Sequence, residues 1–354
     1  MRKILAIFCA LALLLTAAAA ESADLQAVLS SMTTEEKVGQ MFLARCPSSN
    51  AHTTAAKYGL GGYLMLADAF KNRTPETAAE RIRTIQNENK IPLLIAVDEE
   101  GGSVTRVSRY KAYRDRKFAS PQAIYQESGL LGVVADAKEK SELLLSIGVN
   151  VNLAPVADVS TRSGDFIYNR TLGQDAPTTA AYVAAVVRQM NESGIGCALK
   201  HFPGYGGNRD THNGFAVDSR EMRAFVEGDL LPFIAGIRAG AGSVLVSHNI
   251  VECMDSAYPA SLSPEVHRLL REGLGFDGVI LTDALDMDAI SKRYTKGEAA
   301  VLAVEAGNDM LITGAYETQI AAVLAAVREG RVDEARIDES VLRILRWKRT
   351  LGLL

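Results

Sequence analysis

The sequence of 354 residues is short of cysteine and histidine, with four of one and five of the other. Cys9 sits in an N-terminal apolar run, so Cys46, Cys197 and Cys253 are left for the rest of the chain. Three thiols spread over this length are no disulfide framework, and no two share a metal-ligand spacing. His-Glu-x-x-His is absent, and no His-x-His stands at the end of the first apolar run, which counts against a zinc hydrolase. A basic excess is missing as well: 38 Lys and Arg face 42 Asp and Glu. The electrostatic footprint of a nucleic-acid binder is thereby excluded. No Gly-x-Gly-x-x-Gly follows the first strand-like run, which weakens the case for an open dinucleotide-binding sheet. A Pro/Gly/Ser-rich linker and low-complexity tracts are also lacking after the N-terminus, so one domain is expected.

Residues 1–20 read as a secretory signal peptide. Arg2 and Lys3 precede an apolar run too short to anchor in a bilayer, and small residues follow up to Ala20. Cys9 lies inside the apolar run rather than after it, which argues against a lipid anchor. The expectation is an exported protein, periplasmic or extracellular, without a stable membrane anchor, whose domain covers 21–354. Loss of Arg2 and Lys3 moves the formal charge from −4 to −6.

Eight short apolar runs recur, at 41–44, 62–67, 93–97, 149–156, 196–199, 244–247, 279–282 and 310–313. Most are continuous rather than alternating, as in strands buried on both faces of a parallel sheet. Helix-like stretches separate them, among them 75–89, 134–147, 178–193, 264–273 and 297–306. Strand then helix, about eight times over, predicts a single (β/α)8 TIM barrel. Seven runs end on polar or charged residues: Arg45, Asp68, Asp98-Glu99-Glu100, Asp158, Lys200-His201, His248 and Asp283. In a barrel those ends converge on the C-terminal mouth, where barrel active sites lie.

The stretch Lys200-His201-Phe202-Pro203-Gly204-Tyr205-Gly206-Gly207-Asn208-Arg209-Asp210-Thr211-His212 leaves an apolar run and enters a Gly/Pro-rich loop. Its Asp210-x-His212 is a proton-transfer pair, because a carboxylate fixes the ring tautomer and stabilises the imidazolium. Asp283 is the first ionisable group after its run and is a candidate nucleophile, with a helix N-cap as the competing reading. Asp286 and Asp288 read as acids of an early helical turn. Asp98 can accept from two sugar hydroxyls, while Arg106, Lys200 and His201 can donate to others. Arg170 is within reach of the mouth. His248 alone fits a satisfied buried histidine better than a catalyst.

Two reactions fit this set. One is glycoside hydrolysis with retention, with Asp283 attacking the anomeric carbon and His212, backed by Asp210, protonating the leaving oxygen. The other is metal-assisted hydrolysis through His201, His212, His248, Asp98 and Asp283, which the missing signatures disfavour. A barrel that binds sugar without cleaving it is a third possibility, since a fold alone does not fix a function.

The chain resembles the single-domain β-N-acetylglucosaminidases of glycoside hydrolase family 3. The matching segments include Met32-Thr33-Thr34-Glu35-Glu36-Lys37-Val38-Gly39-Gln40-Met41, Asp98-Glu99-Glu100-Gly101-Gly102, Asn152-Leu153-Ala154-Pro155-Val156-Ala157-Asp158-Val159, Lys200-His201-Phe202-Pro203-Gly204, and Leu274 through Met287. The resemblance implies release of terminal N-acetyl-β-D-glucosamine from glycans, with no metal and no organic cofactor; a monomer is expected. It implies Asp283 as nucleophile and His212 with Asp210 as the acid–base dyad. Asp98, Arg106, Arg170, Lys200 and His201 are then substrate-binding residues. The family usually carries His where Tyr205 stands, and the loop after Gly206 is one residue shorter than usual. A neutral His base does not repel phosphate, so phosphorolysis is a variant of the same chemistry.

Overall fold

The computed structural model describes residues 23–208, 210 and 216–354. The expected signal peptide lies outside the described residues. Eight parallel strands run β1 (Phe42–Arg45), β2 (Gly62–Leu64), β3 (Leu94–Val97), β4 (Val151–Asn152), β5 (Gly196–Phe202), β6 (Ser243–Val246), β7 (Val279–Thr282) and β8 (Leu311–Thr313). Each pairs with its neighbour in chain order, and β8 returns to β1 with Phe42 opposite Leu311. A parallel bridge between Leu281 and Met310 joins β7 to β8, with Met310 N–H donating to Ile280 O at 3.0 Å. The structure is a (β/α)8 barrel, as the rhythm of apolar runs predicts.

Helices follow the strands, including Pro75–Asn87, Pro121–Ser146, Ala176–Glu192, Lys296–Ala306 and Tyr316–Arg328, and Glu334–Thr350 covers the lower end of the barrel. Several begin on a side-chain cap: Thr74, Ser120, Asp175, Thr295 and Asp333 each accept a hydrogen bond from a first-turn amide. Each cap satisfies a donor that the helix itself leaves without a partner. Strands β2, β3, β5 and β6 are buried along their whole length, which is why their sequences do not alternate. Among the described residues no helix is long and apolar enough to cross a membrane.

The strand at 149–156 is shorter than expected. Its regular strand ends at Asn152, whose side chain adds to the pairing: Asn152 Oδ1 accepts from Glu99 N–H at 2.9 Å, and Asn152 Nδ2 donates to Glu99 O at 3.1 Å. Pro155 supplies no amide, and the pairing with β5 resumes at Val156, which bridges Lys200, with Ala157 N–H donating to Lys200 O at 2.7 Å. Strand β5 is longer than expected and carries Lys200 and His201 inside the sheet. Opposite it Lys200 pairs with Leu245 and Phe202 with Val246, so His201 is the extra residue of a bulge. A second, two-stranded parallel sheet, Val217–Asp218 with Ile250–Val251, gave no clear signal in the sequence.

Candidate active site

Asp98, Arg106, Arg170, Lys200, His201 and Asp283 line one cavity of about 300 Å³ at the C-terminal ends of the strands. Arg45, Glu100 and Tyr205 complete its polar wall. Larger recesses of about 370 and 430 Å³ lie at the opposite end of the barrel. The mouth cavity is distinguished by its chemistry, not by its size, and it stands where barrel active sites stand.

The centre of the cavity is a buried ion cluster. Lys200 Nζ lies 2.8 Å from Asp98 Oδ1 and 2.5 Å from Glu100 Oε1. Arg170 grips Glu100 with two bonds, Nε to Oε2 at 2.9 Å and Nη2 to Oε1 at 2.7 Å. Arg106 Nη2 reaches Asp98 Oδ2 at 3.5 Å. The side chains of Lys200 and Glu100 are each 2 % exposed, so their charges persist only because they compensate one another. Burial alone would raise the Glu100 carboxyl, but Arg170 and Lys200 reverse this and hold it well below the usual carboxylate range. Burial likewise opposes the Lys200 ammonium, and Asp98 and Glu100 hold its pKa above the ordinary lysine value.

His201 is fixed from both sides. Its Nε2 lies 3.1 Å from Arg170 Nη2, and its Nδ1 lies 2.7 Å from Asp158 Oδ2. A guanidinium has no acceptor, so Nε2 accepts and Nδ1–H donates to Asp158. Asp158 is fully buried and also takes the amides of His201 and Tyr205, at 3.1 and 2.7 Å. The Tyr205 ring stands edge-on to His201 with centroids 5.3 Å apart.

Glu99 faces away from the cavity and builds the loop beneath it. Its carboxylate takes the amides of Arg106 and Val107 at 2.7 Å each, and Ser108 Oγ donates to it at 2.5 Å. The loop that carries Arg106 is therefore set by a fully buried acid.

Asp283 follows β7 directly and is half-buried. Its amide donates to Val246 O at 2.9 Å, and its Oδ1 accepts from Ala284 N–H at 2.7 Å. No helix starts there, as the next begins at Asp288, so the N-cap reading of Asp283 fails. Asp286 is not a helical acid either. It accepts from Thr313 Oγ1 at 3.3 Å and from the Gly314 amide at 2.5 Å, tying the loop after β7 to the end of β8.

Of the other strand-end residues, Asp68 falls in the short helical turn Ala67–Ala69, away from the cavity. His248 is fully buried, with Nδ1 at 2.7 Å from Ser261 Oγ and Nε2 at 2.9 Å from Ala284 O, as a satisfied core histidine would be. Among the described residues no group of three or more His, Cys, Asp or Glu is placed to hold a metal ion. Cys46, Cys197 and Cys253 are free thiols. Asp210 is described but does not line the cavity, and His212 lies outside the described residues. Glu100 and Asp158 stand among the strand-end residues of the sequence, but the sequence assigns neither of them a role.

The family model described as the glycosyl hydrolase family 3 N terminal domain matches residues 33–347. The chain belongs to glycosyl hydrolase family 3. It is therefore a glycoside hydrolase, and the family 3 cavity at the barrel mouth is its candidate active site. β-Hexosaminidase LpqI of Mycobacterium tuberculosis is 30% identical over 342 residues, which are 93% of this chain and 85% of the relative. A solved structure of M tuberculosis LpqI matches with a TM-score of 0.83 at 27% identity, covering 91% of this chain and 95% of that one. A family 3 β-N-acetylglucosaminidase from Paenibacillus sp. str. FPU-7 superposes with a TM-score of 0.85 at 31% identity, over 91% of this chain and 63% of that chain.

Proposed function

We propose that this family 3 hydrolase is a retaining exo-β-N-acetylglucosaminidase that removes terminal N-acetyl-β-D-glucosamine from cell-wall or chitin-type oligosaccharides. The observation that carries the reading is the compact cavity in which Asp283 shares its walls with the Asp98–Lys200–Glu100–Arg170 cluster. A pocket of this kind encloses one terminal sugar, whereas an endo-acting enzyme needs an open groove. The relatives named β-hexosaminidase and β-N-acetylglucosaminidase support the choice of sugar.

Asp98 and Arg106 hold sugar hydroxyls at one edge. Lys200 spends two of its three N–H donors on Asp98 and Glu100 and keeps one for the substrate. His201 has protein partners on both ring nitrogens, so it acts by fixing Arg170 rather than as a loose donor. Ionised Asp283 attacks the anomeric carbon as His212, oriented by Asp210, protonates the departing oxygen. A glycosyl-Asp283 ester forms and the aglycone leaves. Neutral His212 then takes a proton from water, which attacks the anomeric carbon and frees Asp283. Export through the N-terminal leader would place this reaction outside the cytoplasm.

The test is release of p-nitrophenol from its N-acetyl-β-D-glucosaminide and from its β-glucoside, with and without chelator and phosphate. Cleavage of the N-acetyl substrate alone, indifferent to chelator, is expected. A rate that requires phosphate identifies a phosphorylase, a rate lost with chelator identifies a metal enzyme, and no cleavage of either substrate leaves a sugar-binding barrel.

A further inference from the structure

The ion cluster around Lys200 suits the hydroxyls of a sugar. What sets an N-acetylglucosaminide apart is the acetamido group on C2, which brings a carbonyl acceptor, an N–H donor and a methyl group. Arg45 is the exposed last residue of β1 and lines the mouth cavity. The other polar residues of that wall are engaged. Asp98, Glu100, Arg106, Arg170 and Lys200 belong to the cluster, His201 is held by Arg170 and Asp158, the Tyr205 amide donates to Asp158, and Asp283 accepts from the Ala284 amide. Among the described residues Arg45 alone of this set has no hydrogen bond or ion pair from its side chain. A guanidinium carries five N–H donors and no acceptor, so a carbonyl or an anion is what it lacks.

A Cβ on Gly314 would lie 4.0 Å from Arg45 Cζ, so the guanidinium stands beside the end of β8. Asp286 Oδ2 is 3.1 Å from the same point, but Asp286 bonds to Thr313 Oγ1 and the Gly314 amide and forms no ion pair with Arg45. The wall on either side of Arg45 is apolar: Leu64 and Leu66 at β2, Ile312 at β8 and Ala284 after β7. A sugar with its anomeric carbon at Asp283 and its remote hydroxyls at Asp98 and Lys200 spans the mouth from β7 to β3 and β5. Its C2 substituent, next to the anomeric carbon, then faces one of two arcs of the wall. The arc through β6 offers Leu245, 3% exposed, and Tyr205, 2% exposed, whose ring is packed against His201 and Phe166. The arc through β8, β1 and β2 offers apolar surface and an unspent donor together, as an acetamido group requires.

We propose that Arg45 is a specificity-determining residue for the acetamido group: its guanidinium donates to the carbonyl oxygen, while Leu64, Leu66 and Ile312 take the methyl. The proposal rests on the N-acetylglucosaminidase reading given above. A carboxylate on the leaving group is the competing occupant, and the apolar neighbours disfavour it.

The experiment uses the full-length enzyme and measures competitive inhibition of p-nitrophenyl N-acetyl-β-D-glucosaminide hydrolysis by two iminosugars. These are 2-acetamido-1,2-dideoxynojirimycin and 1-deoxynojirimycin, which differ only in the C2 substituent. The parent binds the acetamido compound more tightly. Arg45→Ala weakens that binding by about 10- to 100-fold, the range of one hydrogen bond to a charged donor, and shifts the Ki of 1-deoxynojirimycin by less than about twofold. The kcat/KM of the N-acetyl substrate falls in step with the first of these. Arg45→Lys keeps a charged donor without the fork and loses less. Both variants keep the parental Tm, since the Arg45 side chain has no bond among the described residues to lose. Equal weakening of both iminosugars, or of neither, overturns the proposal while the N-acetylglucosaminidase reading stands. So does a loss in Arg45→Ala confined to the 4-carboxyphenyl N-acetyl-β-D-glucosaminide and absent from the phenyl one, which would make Arg45 a reader of anionic leaving groups. A parent that binds both iminosugars alike and cleaves the β-glucoside as fast as the N-acetyl substrate overturns that reading and the proposal together.

Discussion

Lys348 is fully buried at the lower end of the barrel, and its Nζ donates to Gln40 Oε1 at 2.7 Å. Burial lowers its pKa from 10.5 to about 7. The folded protein therefore holds fewer protons than the unfolded chain between about pH 7 and 10.5, and stability rises with pH across that window. The penalty is fully present below pH 7 and gone above 10.5. At about 1.4 kcal/mol per pKa unit it amounts to roughly 5 kcal/mol. Lys348→Met removes it, but leaves Gln40 Oε1 without its donor, at a cost of about 1–3 kcal/mol. The variant should thus be more stable than the parent at pH 7 by about 2–4 kcal/mol, or about 3–6 °C in Tm for a chain of this length. At pH 10.5 the order reverses by about 1–3 kcal/mol, since only the orphaned oxygen remains. Thermal melts of both proteins across this range read the difference directly. A difference of constant sign and size across the range would show that Lys348 does not titrate there, and the reasoning would be wrong.

Other expectations concern the mouth. Glu100→Gln leaves Arg170 and Lys200 under-compensated in a buried site, so Tm falls by an amount matching roughly 3–5 kcal/mol; the loosened Lys200 raises KM by about tenfold. A variant with parental Tm and KM would remove Glu100 from the account. Asp283→Ala keeps the barrel, as circular dichroism will show, and lowers kcat by about 10⁴ or more. Near-parental turnover would take the nucleophile's role away from Asp283.

The barrel was legible because its strands are buried on both faces, which leaves unbroken apolar runs in the sequence. The run at 149–156 pairs at both ends but is interrupted between them, because Pro155 supplies no amide and Asn152 adds side-chain bonds to Glu99, details that no apolar pattern records. Asp98, Arg106, Arg170, Lys200, His201 and Asp283 do share one cavity. Glu100 had a signal: in extended chain Asp98 and Glu100 lie on one side and Glu99 on the other. The cavity holds Asp98 and Glu100, and Glu99 supports the loop below. Asp158 is marked by its place at a strand end, but not its role, because its partners His201 and Tyr205 are set by where β4 and β5 meet in space.

The central claim is that Asp283 forms a covalent bond to the sugar. Hydrolysis of an aryl N-acetyl-β-D-glucosaminide followed by proton NMR from the first minutes tests it most directly. With retention, the β-anomer of N-acetylglucosamine appears first and converts slowly to the α-anomer by mutarotation. An α-anomer that appears first would mean a single inversion, and no glycosyl-Asp283 intermediate.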